Sequence, residues 1–382
     1  MFKYSNHNIT ILTTFDRISL FHTLKPFLFY RPPHRGGFHF KLTDSVEECL
    51  ELDRNRSLLV LRMPKVQGLE PADIMKALRE KYDRLVFFND GAAAGTNNFD
   101  FLPYVDRFIV KSIFRDQSQS LQPLYRRRLF TDYYHRKDGV RDPDLEAADS
   151  GESGEAEKPA ESAITRTSLD KLRLGWNIGV GDFPREDLRQ RAGVFTARTF
   201  HPGLARFFFR RRMPAFLAAE EGPGSTAAGR DIPVHARLGA LQVPSVNRQR
   251  EIFLDMIKKD PRFLTGRTTK QQYDGEMRRS LMTLSPFGWG EVCFRDFEAL
   301  FAGSLLLKPD MGHIETWPDI YRPGETYVPL SWDGDDLFEQ VEYYLSRPGE
   351  RVEMVRNARE LFRTEIEGLP ERFTALLEEV FG

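Results

Sequence analysis

Cysteine is nearly absent. Cys49 and Cys293 are the only two in 382 residues, too few for a disulfide framework or a thiolate metal cluster, and the usage suits a reducing compartment. Both read as small buried apolar residues. Long hydrophobic runs are missing too: the opening "MFKYSNHNITILTTFDRISLF" lacks the apolar core and small-residue cleavage site of a secretory signal, and no later segment is long enough to span a membrane. A soluble cytoplasmic protein is the expectation. Charge of one sign is lacking as well. Lys+Arg (55) and Asp+Glu (56) nearly cancel, so no global field favours nucleic acid and none is expected as a partner; any anion site must be local. No internal repeat of fixed period occurs.

What is present is short apolar runs at regular intervals: "ITIL" from Ile9, "SLLVL" from Ser57, "RLVFF" from Arg84 and "RFIV" from Arg107. Between them lie helical patterns such as "PADIMKALREKY", with Ile74, Ala77 and Leu78 at i, i+3, i+4. Buried strands alternating with helices predict a parallel sheet covered on both faces, whose ligands collect at the C-terminal strand ends. The composition then turns acidic and small in "DPDLEAADSGESGEAEKPAE", which cannot bury enough surface to offset its ordering entropy. After a second flexible stretch, "EGPGSTAAGR", the alternation restarts with "IPVHARLG", "NRQREIFLDMIKK", "RFLTG", "QQYDGEMRRS", "LMTLSPFGWG", "SLLLKPD" and "TYVPLSW". The expected organisation is therefore an N-terminal domain over 1–220 with a mobile insertion at 142–161, a connection at 221–230, a second domain over 231–365, and a last helix over 366–382 crossing back to the first. The fold class is α/β, two Rossmann-like domains facing across a cleft.

The stretch "SPFGWGEVCFRDFEALFAG" carries most of the functional signal. Drawn as one helix at about 100° per residue, Glu291, Arg295 and Glu298 fall on one side, opposite Phe294, Phe297, Leu300 and Phe301. Upstream, Gly288 and Gly290 let the backbone pass close to a ligand, and a helix start at Gly290–Glu291 offers free N–H groups and a positive dipole end to a phosphate. The bland alternative is a solvated face bearing an i, i+4 ion pair.

Tyr273, Ser280, Leu284, Pro286 and Gly288, followed by Arg295-x-x-Glu298-Ala299-Leu300 and Gly303, resemble the nucleotide-sugar-binding half of GT-B fold glycosyltransferases. The exostosin-like group, with its Arg-x-x-Glu-Ala-Leu-x-x-Gly helix after a Pro-x-Gly loop, is similar, and "RPGETYVPLSWDGDDLFEQVEYYLSRP" extends the likeness. The resemblance covers Pro261 to Pro348. It implies a transferase that takes a sugar from a nucleotide-diphosphate donor to a glycan or lipid-linked acceptor, without metal or cofactor. By position, Glu298 would accept hydrogen bonds from ribose hydroxyls, and Arg295 would face the pyrophosphate or hold Glu298. Many such enzymes carry another glutamate eight positions before the second; here that position is Gly290, and Glu291 stands seven before.

Other residues have two readings each. Arg237, at the end of the first C-domain strand, is a phosphate ligand or an ordinary salt bridge; Arg248, Arg250, Arg267 and Lys270 are weaker candidates. Lys308 and His313 come off a strand near the donor, where they can touch sugar or diphosphate, and His313 reads equally as a satisfied loop histidine. "DGD" at 333–335 suits helix capping better than a metal. On the acceptor side the strand-end carboxylates Asp90 and Asp16 are candidate catalytic bases, or turn residues. "WNIGVGDFP" is a sugar-stacking element or an interdomain turn. "LYRRRLF" and "ARFFFRRRMP" pair aromatics with arginines, fitting an anionic membrane's inner face or a packing helix with solvated arginines. Against the transferase stand two other readings: a non-catalytic nucleotide(-sugar)-binding or regulatory protein of the same fold, and an α/β module that binds no nucleotide.

Overall fold

The structure is a computed structural model and describes residues 6–32, 37–51, 55–95, 99–143, 165–183, 187–210 and 229–382. Residues 144–161 of the acidic insertion and 221–228 of the connection lie outside these.

Two parallel sheets organise the chain. The first has six strands in the order β2-β1-β3-β4-β5-β7: β1 (Asn6–Leu12), β2 (Gly37–Thr43), β3 (Ser57–Val60), β4 (Arg84–Asn89), β5 (Arg107–Val110) and β7 (Leu172–Leu174). The second has five in the order β13-β11-β10-β8-β9: β8 (Ile232–His235), β9 (Phe263–Leu264), β10 (Ser280–Leu284), β11 (Leu305–Pro309) and β13 (Val328–Leu330). Each sheet begins with a central strand, steps to one side, then crosses back, which gives each a switch point between its first and third main strands. There β1 lies beside β3, and β8 beside β10. Loops leaving such a point in opposite directions open a crevice at the carboxyl strand ends. This is the α/β class of two facing Rossmann-like domains expected from the sequence.

The helices follow from apolar spacing. Helix α1 (Pro71–Lys81) buries Ile74, Met75 and Leu78 and starts on a proline, whose missing N–H costs nothing there. Later come α2 (Leu129–Asp138), α3 (Leu188–Thr199), α4 (Pro244–Ile257), α5 (Lys270–Arg279), α6 (Phe294–Ala302), α7 (Pro348–Glu367) and α8 (Leu369–Phe381). Helix α8 belongs to the N-terminal core: Phe373 meets Phe27 and Trp176 edge-on, with ring centroids 5.0 and 5.5 Å apart.

The two domains are also interlocked. Strands β6 (Ser112–Phe114) and β12 (Ile314–Thr316), one from each half of the chain, pair antiparallel. Helix α2 leaves the first sheet and docks on the second domain: Tyr134 donates to the Trp332 carbonyl at 2.5 Å, and Arg248 of α4 reaches Asp138 at 2.7 Å. Asp142, expected at the start of a mobile insertion, is completely buried instead. Its carboxylate accepts the Ser245 N–H and hydroxyl at 2.9 and 2.6 Å and pairs with Arg126. One of the free donors at the start of α4 is thus satisfied from the other domain.

Candidate functional site

Helix α6 starts later than the spacing suggests. Its N-cap is Cys293, and Asp296 reaches back to the Cys293 N–H at 2.9 Å, fixing the first turn at Phe294. Glu291 therefore stands in the preceding loop, while Arg295 and Glu298 ride on the helix. Gly303 ends it in the left-handed conformation at φ 72°. The solvated-face reading does not hold, because Glu291 is 0% exposed and Glu298 8%.

Around the β8/β10 switch point the charged groups form two layers. Glu298 is held by Lys270 at 3.1 Å and by the Tyr273 hydroxyl at 3.1 Å. Tyr273 also accepts from Arg295 at 3.3 Å; burial pushes its phenol up to about 12. Arg237 takes the ordinary salt bridge of its two readings, bidentate to Glu276 at 2.9 and 2.7 Å, while its own carbonyl accepts from Arg295 at 2.6 Å. Arg250 spans the two strand-end loops, donating to the Phe287 carbonyl at 2.8 Å and the Gly239 carbonyl at 2.9 Å. Beside it is Gly288, where a Cβ would stand 3.1 Å from the Arg250 guanidinium.

Among the described residues, neither Arg250 nor Arg295 has a carboxylate within ion-pair distance. Burial, with Arg295 adding to it, pulls Arg250 below its ordinary value; nearby Cys293 and Asp296 act the other way. Burial also opposes the charge of Arg295, but Tyr273, Cys293 and Glu298 more than offset it. Two half-buried guanidiniums held mainly by backbone carbonyls and a phenol leave charge for an anion to neutralise. From the sequence, Arg250 is a weaker candidate than Arg237. Arg248 and Arg250 look alike in "NRQRE", and only the packing of α4 sends one to Asp138 and the other into the crevice.

Lys308 corrects the sequence expectation. It is buried beneath the loop, donating to the Ser285 carbonyl at 3.3 Å and paired with an equally buried Asp296 at 3.1 Å, so its charge is committed inside the protein rather than to a sugar or diphosphate. Asp296 also accepts from the Ser285 and Tyr321 hydroxyls at 2.5 and 2.7 Å, and this satisfied network is a foundation for the α6 loop.

The second domain's loop meets the first domain directly. Gly290 lies so close to the loop after β4 that an added Cβ would stand 1.8 Å from the Ala92 carbonyl oxygen. The close approach the glycine permits is to protein backbone. Next to it, Glu291 accepts the Ala94 N–H at 3.2 Å through one oxygen. Its other oxygen has no hydrogen bond and lies 3.6 Å from Nε2 of His313. Both ring nitrogens of His313 lack hydrogen-bond partners, and the ring meets Trp332 edge-on. Trp289, between the two glycines, is 49% exposed.

On the first domain the switch point holds a closed ionic cluster. Asp90 pairs with Arg62 and Lys111 and accepts from Thr23 at 2.8 Å; Asp16 shares Arg62 and takes the Ser19 N–H at 3.0 Å. Burial alone would raise both carboxyls. Lys111 and Arg62 outweigh it at Asp90, and the Ser19 amide with Arg62 does so at Asp16, leaving both below the usual range. Carboxylates so committed hold their cations in place and are poor proton acceptors, which argues against the base role expected of them.

Beside them stands a histidine that is not among the candidates from the sequence. His22 lies on a π-turn, Ser19–Thr23, just after β1, a conformation frequent at functional sites. Its Nδ1 donates to the Ile178 carbonyl at 3.2 Å, which leaves Nε2, buried and unpartnered, as an acceptor. The ring lies edge-on to Phe294, the first residue of α6, at 4.9 Å. No periodic pattern marks His22; its position after the first strand is the only signal in the sequence.

The remaining motifs are structural. Asp333 binds Tyr133 and Lys137 of α2 rather than capping a helix, and Asp336 accepts the Ser331 N–H. Trp176 is buried with its indole N–H on the Thr23 carbonyl, and Asn177 ties to Thr316 and Pro318. In "LYRRRLF", Arg126, Arg127 and Arg128 contact Asp142, Asp100 and the Trp289 carbonyl; residues 211–214 of "ARFFFRRRMP" lie outside the described residues. No helix among the described residues is long and apolar enough to cross a membrane.

Fold and site together define a two-domain α/β protein whose second domain gathers two guanidiniums outside any ion pair at a sheet switch point. Residues 230–367, about a third of the chain, match the family described as Glycosyl transferase-like. Among solved structures the chain is similar to Anabaena HepE in complex with UDP and glucose, at 10% identity over 98% of this chain and 100% of that one, with a TM-score of 0.44. It is also similar to sucrose-phosphate synthase from Thermosynechococcus elongatus, at 11% identity over 98% and 99%, TM-score 0.43. For trehalose 6-phosphate synthase from Burkholderia multivorans the values are 11% identity over 98% and 97%, TM-score 0.45. No curated protein matches.

Proposed function

We propose that this chain is a glycosyltransferase that moves a sugar from a nucleotide-diphosphate donor to a hydroxyl of a glycan or lipid-linked acceptor. The observation that carries the reading is the pair Arg250 and Arg295: two half-buried guanidiniums without a carboxylate ion pair, beside Gly288 at the β8/β10 switch point. They fall inside the segment that matches the Glycosyl transferase-like family.

In this reading the donor diphosphate rests between Arg250 and Arg295 against the Gly288 turn, and their charge takes up the leaving diphosphate's without a metal. Glu298 exchanges its bonds to Lys270 and Tyr273 for the ribose hydroxyls. Glu291 and His313 face the sugar. Across the interface, the buried Nε2 of His22 accepts the hydrogen bond of the attacking hydroxyl and orients it once the edges that meet at Gly290 and Ala92 part, while Asp16 and Asp90 keep Arg62 and Lys111 in position.

The test is a calorimetric titration with UDP, GDP, ADP and CMP, run beside Glu298→Ala and Arg250→Gln. Tight binding of one diphosphate, weakened in each variant by about 1–3 kcal/mol, is expected. Indifference to all four nucleotides, or to both substitutions, would remove the donor site from this crevice. The contact of Ala92 with Gly290 favours a second reading, a nucleotide binder whose facing edges stay shut. Nucleotide binding without donor hydrolysis over a range of acceptors would select it.

A further inference from the structure

Eight large hydrophobic side chains are prominently exposed among the described residues, and their distribution is uneven. Leu188 (81%), Phe195 (65%), Phe200 (72%) and Phe207 (60%) lie on α3, at its C-cap and on the 3-10 turn that follows, Pro202–Phe208. A fifth, Phe29 at 50%, lies on the short helix beneath, where its ring meets Phe209 at 5.1 Å. Single exposed apolar residues need no explanation; this concentration does.

The inward side of the same hairpin is an ordinary core. Ala197, Ala205 and Phe209 are buried, and Gly193 lets Phe21 approach so closely that a Cβ would stand 2.5 Å from its ring. The outward aromatics are therefore not a misplaced packing face. On α3, Leu188 and Phe195 are seven residues apart and share a side.

The charge around them is mainly positive. From Leu188 to Arg210 there are five arginines and no Asp or Glu; Arg189 and Arg210 pair with Asp187 at the start of α3, and Arg191, Arg198 and Arg206 have no carboxylate within ion-pair distance among the described residues. Arg191, Arg198, Arg206 and Arg210 are exposed, and the Arg206 guanidinium lies over the Phe207 ring at 4.9 Å. A protein-binding patch usually mixes signs at its rim. Exposed aromatics beside three arginines free of carboxylate partners, in a chain with net charge −1, complement an apolar layer roofed by negative headgroups.

We infer that the outer face of Leu188–Arg210 docks on an anionic lipid bilayer, with Leu188, Phe195, Phe200 and Phe207 entering the headgroup region and the arginines pairing with phosphates. The placement gives the docking a purpose. Arg198 donates to the Phe15 carbonyl at 2.8 Å, and Gly193 packs on Phe21, so the hairpin braces the segment after β1 that carries Asp16 and His22. A bilayer under this face brings lipid-linked hydroxyls to that crevice. The inference deepens the acceptor side of the proposed function, but its test needs no nucleotide and fails or succeeds independently of the donor reading.

The experiment is co-sedimentation of the full chain with vesicles of phosphatidylcholine containing phosphatidylglycerol, against phosphatidylcholine alone. Binding to the anionic vesicles, falling with added salt, is expected. Arg191→Glu with Arg206→Glu should weaken it at least tenfold, since each juxtamembrane arginine is worth about fivefold. Phe195→Ser with Phe200→Ser should weaken it comparably at low salt, with unchanged thermal melting because both side chains are exposed. A Phe195→Trp reporter should shift its emission to the blue only when anionic vesicles are added. No binding to anionic vesicles, or binding indifferent to both double variants, overturns the inference. So does lipid-free dimerisation abolished by Phe195→Ser, which would make the face a contact between copies.

Discussion

The two crevices of this molecule have the same strand order and opposite charge economy. At the β1/β3 switch point, Asp16 and Asp90 are matched to Arg62 and Lys111, so the cluster neutralises itself. At the β8/β10 switch point, Glu276 is matched to Arg237 and Lys270 is shared by Asp274 and Glu298, while Arg250 and Arg295 have no carboxylate within ion-pair distance among the described residues. Topology places polar groups at both strand ends; the inventory of partners decides which end closes into ion pairs and which keeps guanidiniums outside them.

The sharpest way to break that contrast is to remove a charge from each side. Asp90→Ala leaves Lys111 and Arg62 facing each other in a buried site and should cost about 3–5 kcal/mol in urea unfolding. A loss under about 1 kcal/mol would mean the cluster is as solvated as a surface pair. Gly290→Ala should come next, at about 1–3 kcal/mol, because the added methyl meets the Ala92 backbone at 1.8 Å and only separation of the facing edges relieves it. Its signature is a larger radius of gyration in scattering together with a lower melting temperature.

Arg250→Gln should behave in the reverse sense to Asp90→Ala. It removes a cation that burial disfavours, so stability should stay within about 1 kcal/mol. The readout is pyrophosphate: it should raise the melting temperature of the parent protein and have little effect on the variant.

The smallest effect concerns protons. Burial lowers His22 to about 3, with Lys111, Lys25 and Arg17 adding to it, and lowers His235 to about 4, with Arg295 and Arg237 adding to it. Both imidazoles titrate near 6.5 when unfolded, so the unfolded chain binds more protons below that pH. Stability should therefore fall as pH drops from about 6.5, by on the order of 1 kcal/mol per histidine over the first unit. His22→Gln should flatten that slope. Saturating pyrophosphate, by neutralising Arg295, should move the His235 contribution and leave that of His22 alone.

How much of this could be read in advance differs between scaffold and site. Apolar runs announced β1, β3, β4, β5, β10 and β11 because a doubly covered sheet needs uninterrupted hydrophobic strands. The start of α6 was misread because cysteine is not a usual cap; Asp296, three residues on, was the available clue. Lys308 carried its own warning, since a lysine inside "LLLKP" must be buried with an acid, yet nothing local named Asp296 as that acid. Gly290 was recognisable as a position of close approach, but not what approaches. Arg250 and His22 acquire meaning only from residues far away in the chain, and no spacing rule encodes that.

The pairing of β6 with β12 and the burial of Asp142 against Ser245 also bear on how the protein can be divided. The family-like stretch 230–367 is not a detachable part. Cut free, it would expose the surface under Tyr134 and lose both the strand that pairs with β12 and the acid over the first turn of α4. Denaturation should accordingly be a single transition in which both sheets melt together, and a truncation at the chain's apparent midpoint should give two insoluble halves. Neither lobe can be exchanged without rebuilding the seam it shares with the other.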